Sequence, residues 1–189
     1  MSGPSALWKY VPVCPRRRMM KERKGAATMK GSPLTLVGRM PEIGDRAPDF
    51  TVTANDMSAF SLSSCKGKVC IICSVPSLDT PVCDLETRRF NQEVAGMGGV
   101  MLLTISMDLP FAQKRWCGAT GASTVVTLSD HKDASFGTAY GVLIKESRLL
   151  ARAVFVVDRQ GIVRYAELVK ELTDEPDYRC ALQAAKEVA

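Results

Sequence analysis

The chain has 189 residues and a mass of 20.6 kDa; 46% of its residues are hydrophobic, 24% are charged, and its mean hydropathy is zero. That size suits one domain, or one domain with a tail, and no apolar run nears the ~20 residues that span a bilayer. The net charge of +5 sits at one end: residues 1–28 carry seven basic side chains and one acid, a balance of +6, while 18 basic and 19 acidic residues leave the rest at −1.

A near-neutral body offers no electrostatic footprint for nucleic acid. One histidine, His131, rules out multi-histidine metal sites and allows a Ser-His-Asp hydrolase only with His131 as its base. Seven cysteines remain, so the chemistry is sought in sulfur.

In chain order, residues 1–28 show no period and hold a basic cluster broken by Pro15, which predicts a poorly ordered extension. No apolar stretch of a secretory signal follows the arginines. A basic arm for a membrane surface or RNA is the sharper reading of this segment, and a start-site extension the blander one. Residues 29–189 are then the domain.

Leu34–Val37 reads as a strand, and Phe50–Ala54 with Phe60–Leu62 as a hairpin. Val69–Val75 is an almost continuous apolar run, as in a strand buried on both faces. Pro81–Met97 has helical spacing, with Val82, Leu85, Phe90, Val94 and Met97 on one face. Val100–Ser106 is a second buried strand. Asp108 is placed to cap a helix that runs to Cys117 and stops at Gly118. Val125–Leu128 is a third strand, and a short helix follows from about His131 to Tyr140. Ala153–Val157 and Ile162–Leu168 form a second hairpin, and Asp177–Val188 is a final helix. A βαβ half followed by a ββα half predicts a thioredoxin-like α/β fold: a mixed central sheet flanked by helices, with an N-terminal β-hairpin.

The cysteines differ in placement. Cys70 and Cys73 form a C-x-x-C, which suggests a redox pair or metal knuckle. It lies inside a strand, where side chains three apart face opposite ways, so both read as buried fillers. Cys65 reads as an incidental turn residue, Cys180 as half-buried helix packing, and Cys14 lies in the tail. Cys83 stands apart. It follows the central strand through Pro76-Ser77-Leu78-Asp79-Thr80-Pro81-Val82 and opens a helix, with Thr80 as N-cap and Pro81 at the first position. Unpaired N–H groups there favour an anion, and the thiolate is the nucleophilic form of cysteine. A buried cysteine that merely opens a helix fits the same placement. Asp84 and Glu86 oppose the anion, so a cation is needed. Arg152, before the strand Ala153–Val157 and on one face with Val154 and Val156, is the candidate; a strand-end arginine reaching solvent is the plainer alternative. Cys117 closes a helix before Gly118, where an end can fray.

The run Pro76-x-x-x-Thr80-x-x-Cys83 resembles the P-x-x-x-T/S-x-x-C motif of peroxiredoxins. Asp108-Leu-Pro-Phe-Ala-Gln-x-Arg115-x-Cys117-Gly118, Ala151-Arg152-Ala153-Val154-x-Val156-x-Asp158 and Leu168-Val-x-Glu171-x-Thr173-x-Glu175-Pro176-Asp177-Tyr178 narrow the resemblance to the bacterial thiol peroxidases, atypical two-cysteine peroxiredoxins. It runs from about Gly31 to the C-terminus.

The resemblance implies a thiol peroxidase acting on hydrogen peroxide and organic hydroperoxides. Cys83 is then peroxidatic and Cys117 resolving, with an intramolecular Cys83–Cys117 disulfide recycled by thioredoxin. Thr80 bonds thiolate and peroxide, Pro76 shields the pocket, and Arg152 orients substrate and stabilises the thiolate. No cofactor or metal is required, and a cytoplasmic homodimer is implied. Cys14, Cys65, Cys70, Cys73 and Cys180 have no role in the pattern, which leaves side disulfides open. Competing readings are a thiol-disulfide oxidoreductase, a copper or zinc carrier using Cys70 and Cys73, and a non-enzymatic redox scaffold.

Overall fold

A computed structural model describes residues 21–189. The strands are β1 (Glu22–Met29), β2 (Ser32–Val37), β3 (Thr51–Ala54), β4 (Ala59–Ser61), β5 (Val69–Ser74), β6 (Val100–Ser106), β7 (Val125–Ser129), β8 (Leu143–Ile144), β9 (Ala153–Val157) and β10 (Val163–Leu168). The helices are α1 (Pro81–Val94), α2 (Pro110–Thr120), α3 (Ser135–Ala139) and α4 (Tyr178–Val188). Seven strands form one mixed sheet in the order β10-β9-β5-β6-β7-β3-β4. Strands β5, β6 and β7 run parallel at its centre, and β9 lies antiparallel beside β5. This is the thioredoxin-like architecture that the element order predicts.

All six residues of β5 are buried, because each of its faces meets its own core. Cys70 and Ile72 enter one core with Phe50, Phe136, Tyr140 and Phe155. Val69, Ile71 and Cys73 enter the other with Cys83, Phe90, Trp116 and Tyr178. Cys70 and Cys73 thus lie on opposite faces of the sheet, as strand alternation requires. On the second face α4 meets α1, with the Phe90 and Tyr178 rings 5.0 Å apart.

Several boundaries differ from the sequence reading. Seven residues assigned to the N-terminal extension, Glu22 to Thr28, belong to β1, which pairs with β2 in a second sheet of order β1-β2-β8. Residues 1–20 of that extension lie outside the described residues. The register of β1 shifts between Lys24 and Ala27, at Gly25 (φ +67°), and the shift hides the alternation a strand would show. Helix α1 ends at Val94 and buries Cys83, Glu86, Thr87, Phe90 and Val94, whereas Leu85 is 50% exposed. Helix α2 starts after Leu109 instead of being capped by Asp108, and it continues through Gly118. It ends at Gly121, whose left-handed conformation (φ 64°) sends its N–H to the Cys117 carbonyl. Cys65 is a core residue, 3% exposed, that closes a 3₁₀ turn over Leu62–Cys65.

The N-terminal hairpin also supports the far end of the chain. The Thr28 N–H bonds the Lys170 carbonyl (2.6 Å), and the Leu172 N–H bonds the Thr28 carbonyl (2.9 Å). The Glu171 carboxylate accepts from the Thr28 hydroxyl (2.8 Å) and from the N–H groups of Lys30 (2.9 Å) and Gly31 (3.0 Å).

Gly38, after β2, has φ +101°, and a Cβ there would stand 2.1 Å from the Thr138 carbonyl oxygen. Backbone strain and a clash with main chain coincide at this position, so Gly38→Ala is expected to destabilise the fold by about 2 kcal/mol or more. Urea denaturation of the two proteins measures it.

Candidate active site

The chain leaves β5 through a pinned loop. The Val75 N–H bonds the Ile105 carbonyl (3.0 Å), and the Leu78 N–H donates to Asp108 (2.8 Å), which also accepts from the Ser106 hydroxyl (2.8 Å). Asp108, expected as a helix cap, instead ties this loop to the end of β6. The Thr80 carbonyl accepts from the Asp84 N–H (2.9 Å), and Pro81 takes the first helical position. Cys83 therefore stands in the first turn of α1, fully buried, among N–H groups that helix geometry leaves without intrahelical partners.

Pro76 is buried behind this turn, whereas Thr80 is exposed. The Thr80 hydroxyl does not cap the helix; it donates to the Ser77 carbonyl at 2.9 Å. A hydroxyl can satisfy itself on a nearby carbonyl as readily as on a helix N–H, and propensity does not distinguish the two.

Arg152 stands opposite the turn. Strand β9 pairs with β5, and Ser74, the last residue of β5, hydrogen-bonds the Ala151 carbonyl. This brings the Arg152 Nη2 to 3.4 Å from the Cys83 Sγ. The Nη1 bonds Glu86, and Nε and Nη2 donate to the Leu172 carbonyl at 3.2 and 3.0 Å. Arg152 is 1% exposed. Burial opposes its charge, yet Glu86 first and Cys83 next outweigh that and raise its pKa. Leu172 is also the residue whose N–H bonds the Thr28 carbonyl of the N-terminal hairpin.

Glu86 is the site residue that sequence reading misassigned. It reads there only as an opposing charge, but it is fully buried and paired with Arg152. Its position three after Cys83 puts it on the same helical face, which is the signal that would have found it. Burial pushes its carboxyl up to about 7, against the pull of Arg152. Its Oε1 has no hydrogen-bond partner among the described residues. Cys73, in the same core, is pushed well above the ordinary thiol value, first by burial and then by Glu86; it stays a thiol.

Cys117 lies in the last turn of α2, half-buried. Its sulfur is 3.3 Å from the Thr127 hydroxyl, which also accepts from Asn55 (2.8 Å). Cys83 and Cys117 are both free thiols. Their neighbours are joined: the Trp116 indole N–H donates to Asp84 at 2.9 Å, and Arg115 pairs with Asp79 at 3.2 Å. The structure brings Arg152 to Cys83, while Cys117 turns to Thr127 and the Thr80 hydroxyl to Ser77. Helix α2 is anchored at its middle by buried Gln113, which donates to Ser106 (2.9 Å) and to the Leu128 carbonyl (2.8 Å).

The Redoxin family matches residues 42–182. The chain is 59% identical to a thiol peroxidase of Bacillus subtilis over 159 residues, 84% of this chain and 95% of that one. It is 57% identical to a thiol peroxidase of Halalkalibacterium halodurans, covering 84% and 96%. A solved peroxiredoxin-like protein from Aquifex aeolicus superposes with a TM-score of 0.82 at 44% identity, covering 87% of this chain and 98% of that one.

The titration of Glu86 carries a measurable sign. Its folded pKa, about 7, lies above its ordinary value of 4.5, so its contribution to stability is present below the ordinary carboxylate range and is lost as pH rises through about 7. Replacing it removes that loss. In Glu86→Gln the slope of unfolding free energy against pH over this window should be less negative, by at most about 1.4 kcal/mol per pH unit. Denaturant titrations at several pH values read the slope, which an unrelated packing change would leave alone.

Proposed function

The chain belongs to the Redoxin family and, within it, to the thiol peroxidases; it is a thiol-dependent peroxidase, and we propose that Cys83 is the sulfur that takes the peroxide oxygen. The observation that carries this reading is the buried Cys83 sulfur 3.4 Å from a guanidinium held on three further hydrogen bonds. The thiolate is the nucleophilic form of cysteine, and this charge is placed to pair with it. The same charge is in place for the oxygen that departs.

The thiolate attacks the terminal oxygen of hydrogen peroxide or an organic hydroperoxide. The O–O bond breaks, an alcohol or water leaves after taking a proton, and Cys83 becomes a sulfenic acid. Pro76 shields this pocket. Thr80 bonds thiolate and peroxide once its hydroxyl rotates away from the Ser77 carbonyl. Cys117 then attacks the sulfenic sulfur, water leaves, and an intramolecular disulfide forms. The cysteines stand 34 positions apart in the chain, so the cost lies in local unfolding more than in loop closure. The half-buried last turn of α2, beyond the Gln113 anchor, supports Cys117 as the sulfur that moves.

A thioredoxin-type dithiol restores both thiols by exchange. That recycling needs a reducing compartment, and we assign the enzyme to the cytoplasm. Exposed Leu109 (54%) and Phe111 (67%) at the start of α2 support a homodimer. Among the described residues no helix is long and apolar enough to cross a membrane.

One equivalent of an organic hydroperoxide added to the reduced protein is expected to give a Cys83–Cys117 bond in peptide mass maps. Cys83→Ser should lose turnover to background. Retained turnover would sink the peroxidatic assignment, and a fast intramolecular disulfide in Cys117→Ser would sink the resolving one.

The Trp116–Asp84 bond must break for the two helix ends to part. A hydrogen bond to a charged group contributes about 1.5–3 kcal/mol, so its loss raises the parted population about tenfold or more. Trp116→Phe should therefore speed disulfide formation after a single peroxide pulse, read by rapid acid quench and thiol labelling. An unchanged rate would place the limiting step elsewhere.

A further inference from the structure

The loop that carries Cys83 out of the sheet has few ties to the rest of the fold. Between Pro76 and Cys83 it bonds mostly to itself: the Thr80 N–H (3.2 Å) and hydroxyl (2.9 Å) donate to the Ser77 carbonyl, and the Asp79 N–H donates to the Ser77 hydroxyl (3.3 Å). Among the described residues, two bonds tie this stretch to anything other than itself and α1. One is the exposed Asp79–Arg115 pair (3.2 Å), of a kind that contributes little in water. The other runs from the Leu78 N–H to the Asp108 Oδ2 (2.8 Å). Leu78 is 2% exposed and belongs to the core that holds Cys83, so water competes poorly for its N–H.

Asp108 is itself held on several sides. Its Oδ2 also accepts from the Ser106 hydroxyl (2.8 Å), and its N–H donates to the Ser106 oxygen (3.3 Å). Its carbonyl accepts from the Ser129 hydroxyl at the end of β7. Both serines are buried. The Ser106 oxygen accepts in turn from the Gln113 Nε2 (2.9 Å), and Gln113 stands one turn before Cys117 in α2. The Cys83 turn and the Cys117 helix are therefore fastened at one point, Ser106 and Asp108 at the end of β6.

We propose that Asp108 is a positioning residue for the reaction: its carboxylate seats the Cys83 turn against Arg152 while the peroxide is attacked, and its release of Leu78 admits Cys117. The inference rests on the Cys83–Cys117 reading. Attack needs the seated turn, and disulfide formation needs the released one. A hydrogen bond to a charged group shifts such an equilibrium about tenfold or more. The seated turn is the populated one, so removing the bond leaves attack almost unchanged and multiplies the released population. The sulfenic acid then waits less for Cys117 and has less time to meet a second peroxide and become a sulfinic acid. Asp108 thus sets how much peroxide the enzyme survives.

The test is a single pulse of hydrogen peroxide on the reduced full-length chain, followed by rapid acid quench, thiol labelling and peptide mass mapping. Asp108→Ala is expected to form the Cys83–Cys117 bond about tenfold faster than wild type, with no faster loss of the Cys83 thiol. It should also accumulate less Cys83 sulfinic acid in excess peroxide. Both side-chain bonds fall on one carboxylate oxygen, and an amide oxygen can accept both, so Asp108→Asn should bring the rate back towards wild type. Ser106→Ala removes the support of that carboxylate and of Gln113 together. It should raise the rate in the same direction, which keeps the test decisive where Asp108→Ala does not fold. Gly38→Ala weakens the fold far from these bonds and should leave the rate as it is; circular dichroism establishes that each variant is folded. A disulfide rate in Asp108→Ala and Ser106→Ala at or below the wild-type value overturns the proposal. So does a rise that Gly38→Ala matches, which would assign the effect to general loosening. If no Cys83–Cys117 bond forms in the wild-type chain, the reading itself has failed; if the bond forms at one rate in every variant, only the role of Asp108 has.

Discussion

The site depends on one buried positive charge shared between two acids. Arg152 faces the Glu86 carboxyl on one side and the Cys83 sulfur on the other, and all three are buried. Charges in a low-dielectric space must be paired or given up. One guanidinium can neutralise one anion, so the carboxylate and the thiolate compete for it. With its pKa pushed up to about 7, Glu86 can keep its proton near neutrality and remain a hydrogen-bond partner. In the proposed mechanism the charge on Arg152 is then free to hold the thiolate, and next the oxygen that leaves. An apolar residue at 86 would leave the guanidinium without its second support. A carboxylate ionised in the ordinary acid range would divert its charge.

The fold makes this arrangement rigid from the Arg152 side. The arginine emerges at the start of β9, beside the strand that delivers Cys83, and the Leu172 carbonyl takes two of its hydrogen bonds. Leu172 is in turn held, through its N–H, by a segment far away in sequence. Strand β1 lies against residues 170–172, and Glu171 closes over the turn between β1 and β2. Its carboxylate is held down at about 2 by the backbone N–H groups of Gly31 and Lys30, so it stays ionised well into acid. The hairpin that flanks the domain is thus part of the support of the buried Arg152.

The central sheet was legible because β5, β6 and β9 are apolar runs of strand length, and α4 because its stripe repeats cleanly. Cys83 was legible through local chemistry: a strand end, a proline at the first helical position, and a thiol in the first turn. Other features depend on contacts between distant segments. Strand β1 is polar and interrupted by a bulge, so nothing in it alternates; it is a strand because β2 and residues 170–172 pair with it. Glu86 reads as a helix-surface acid until Arg152, 66 positions away, is brought against it. Cys65 reads as a turn residue because its sequence is polar on both sides, yet the turn folds it inward into the core. The Thr80 hydroxyl shows the converse limit. Its residue type suits a cap, but local alternatives of similar energy decide where it donates.

The two halves of the site are built to different rigidities, and the chemistry needs both. Attack on the peroxide needs a fixed charge at a fixed distance, since a preorganised dipole incurs no reorganisation when the bond breaks. The proposed resolution needs the opposite, because two sulfurs on separate helices must travel to meet. The structure divides these demands by residue. Arg152 and Glu86 sit in the sheet-side core with several buried hydrogen bonds. Cys117 sits in a half-buried final turn, held by a hydroxyl and a backbone cap. Between them stand a half-exposed Trp116–Asp84 bond and an exposed Arg115–Asp79 pair, the second of a kind that contributes little in water. Two contacts therefore close the reduced state, and neither involves Arg152. In the proposed mechanism that separation lets one small domain hold a nucleophile still and then move it.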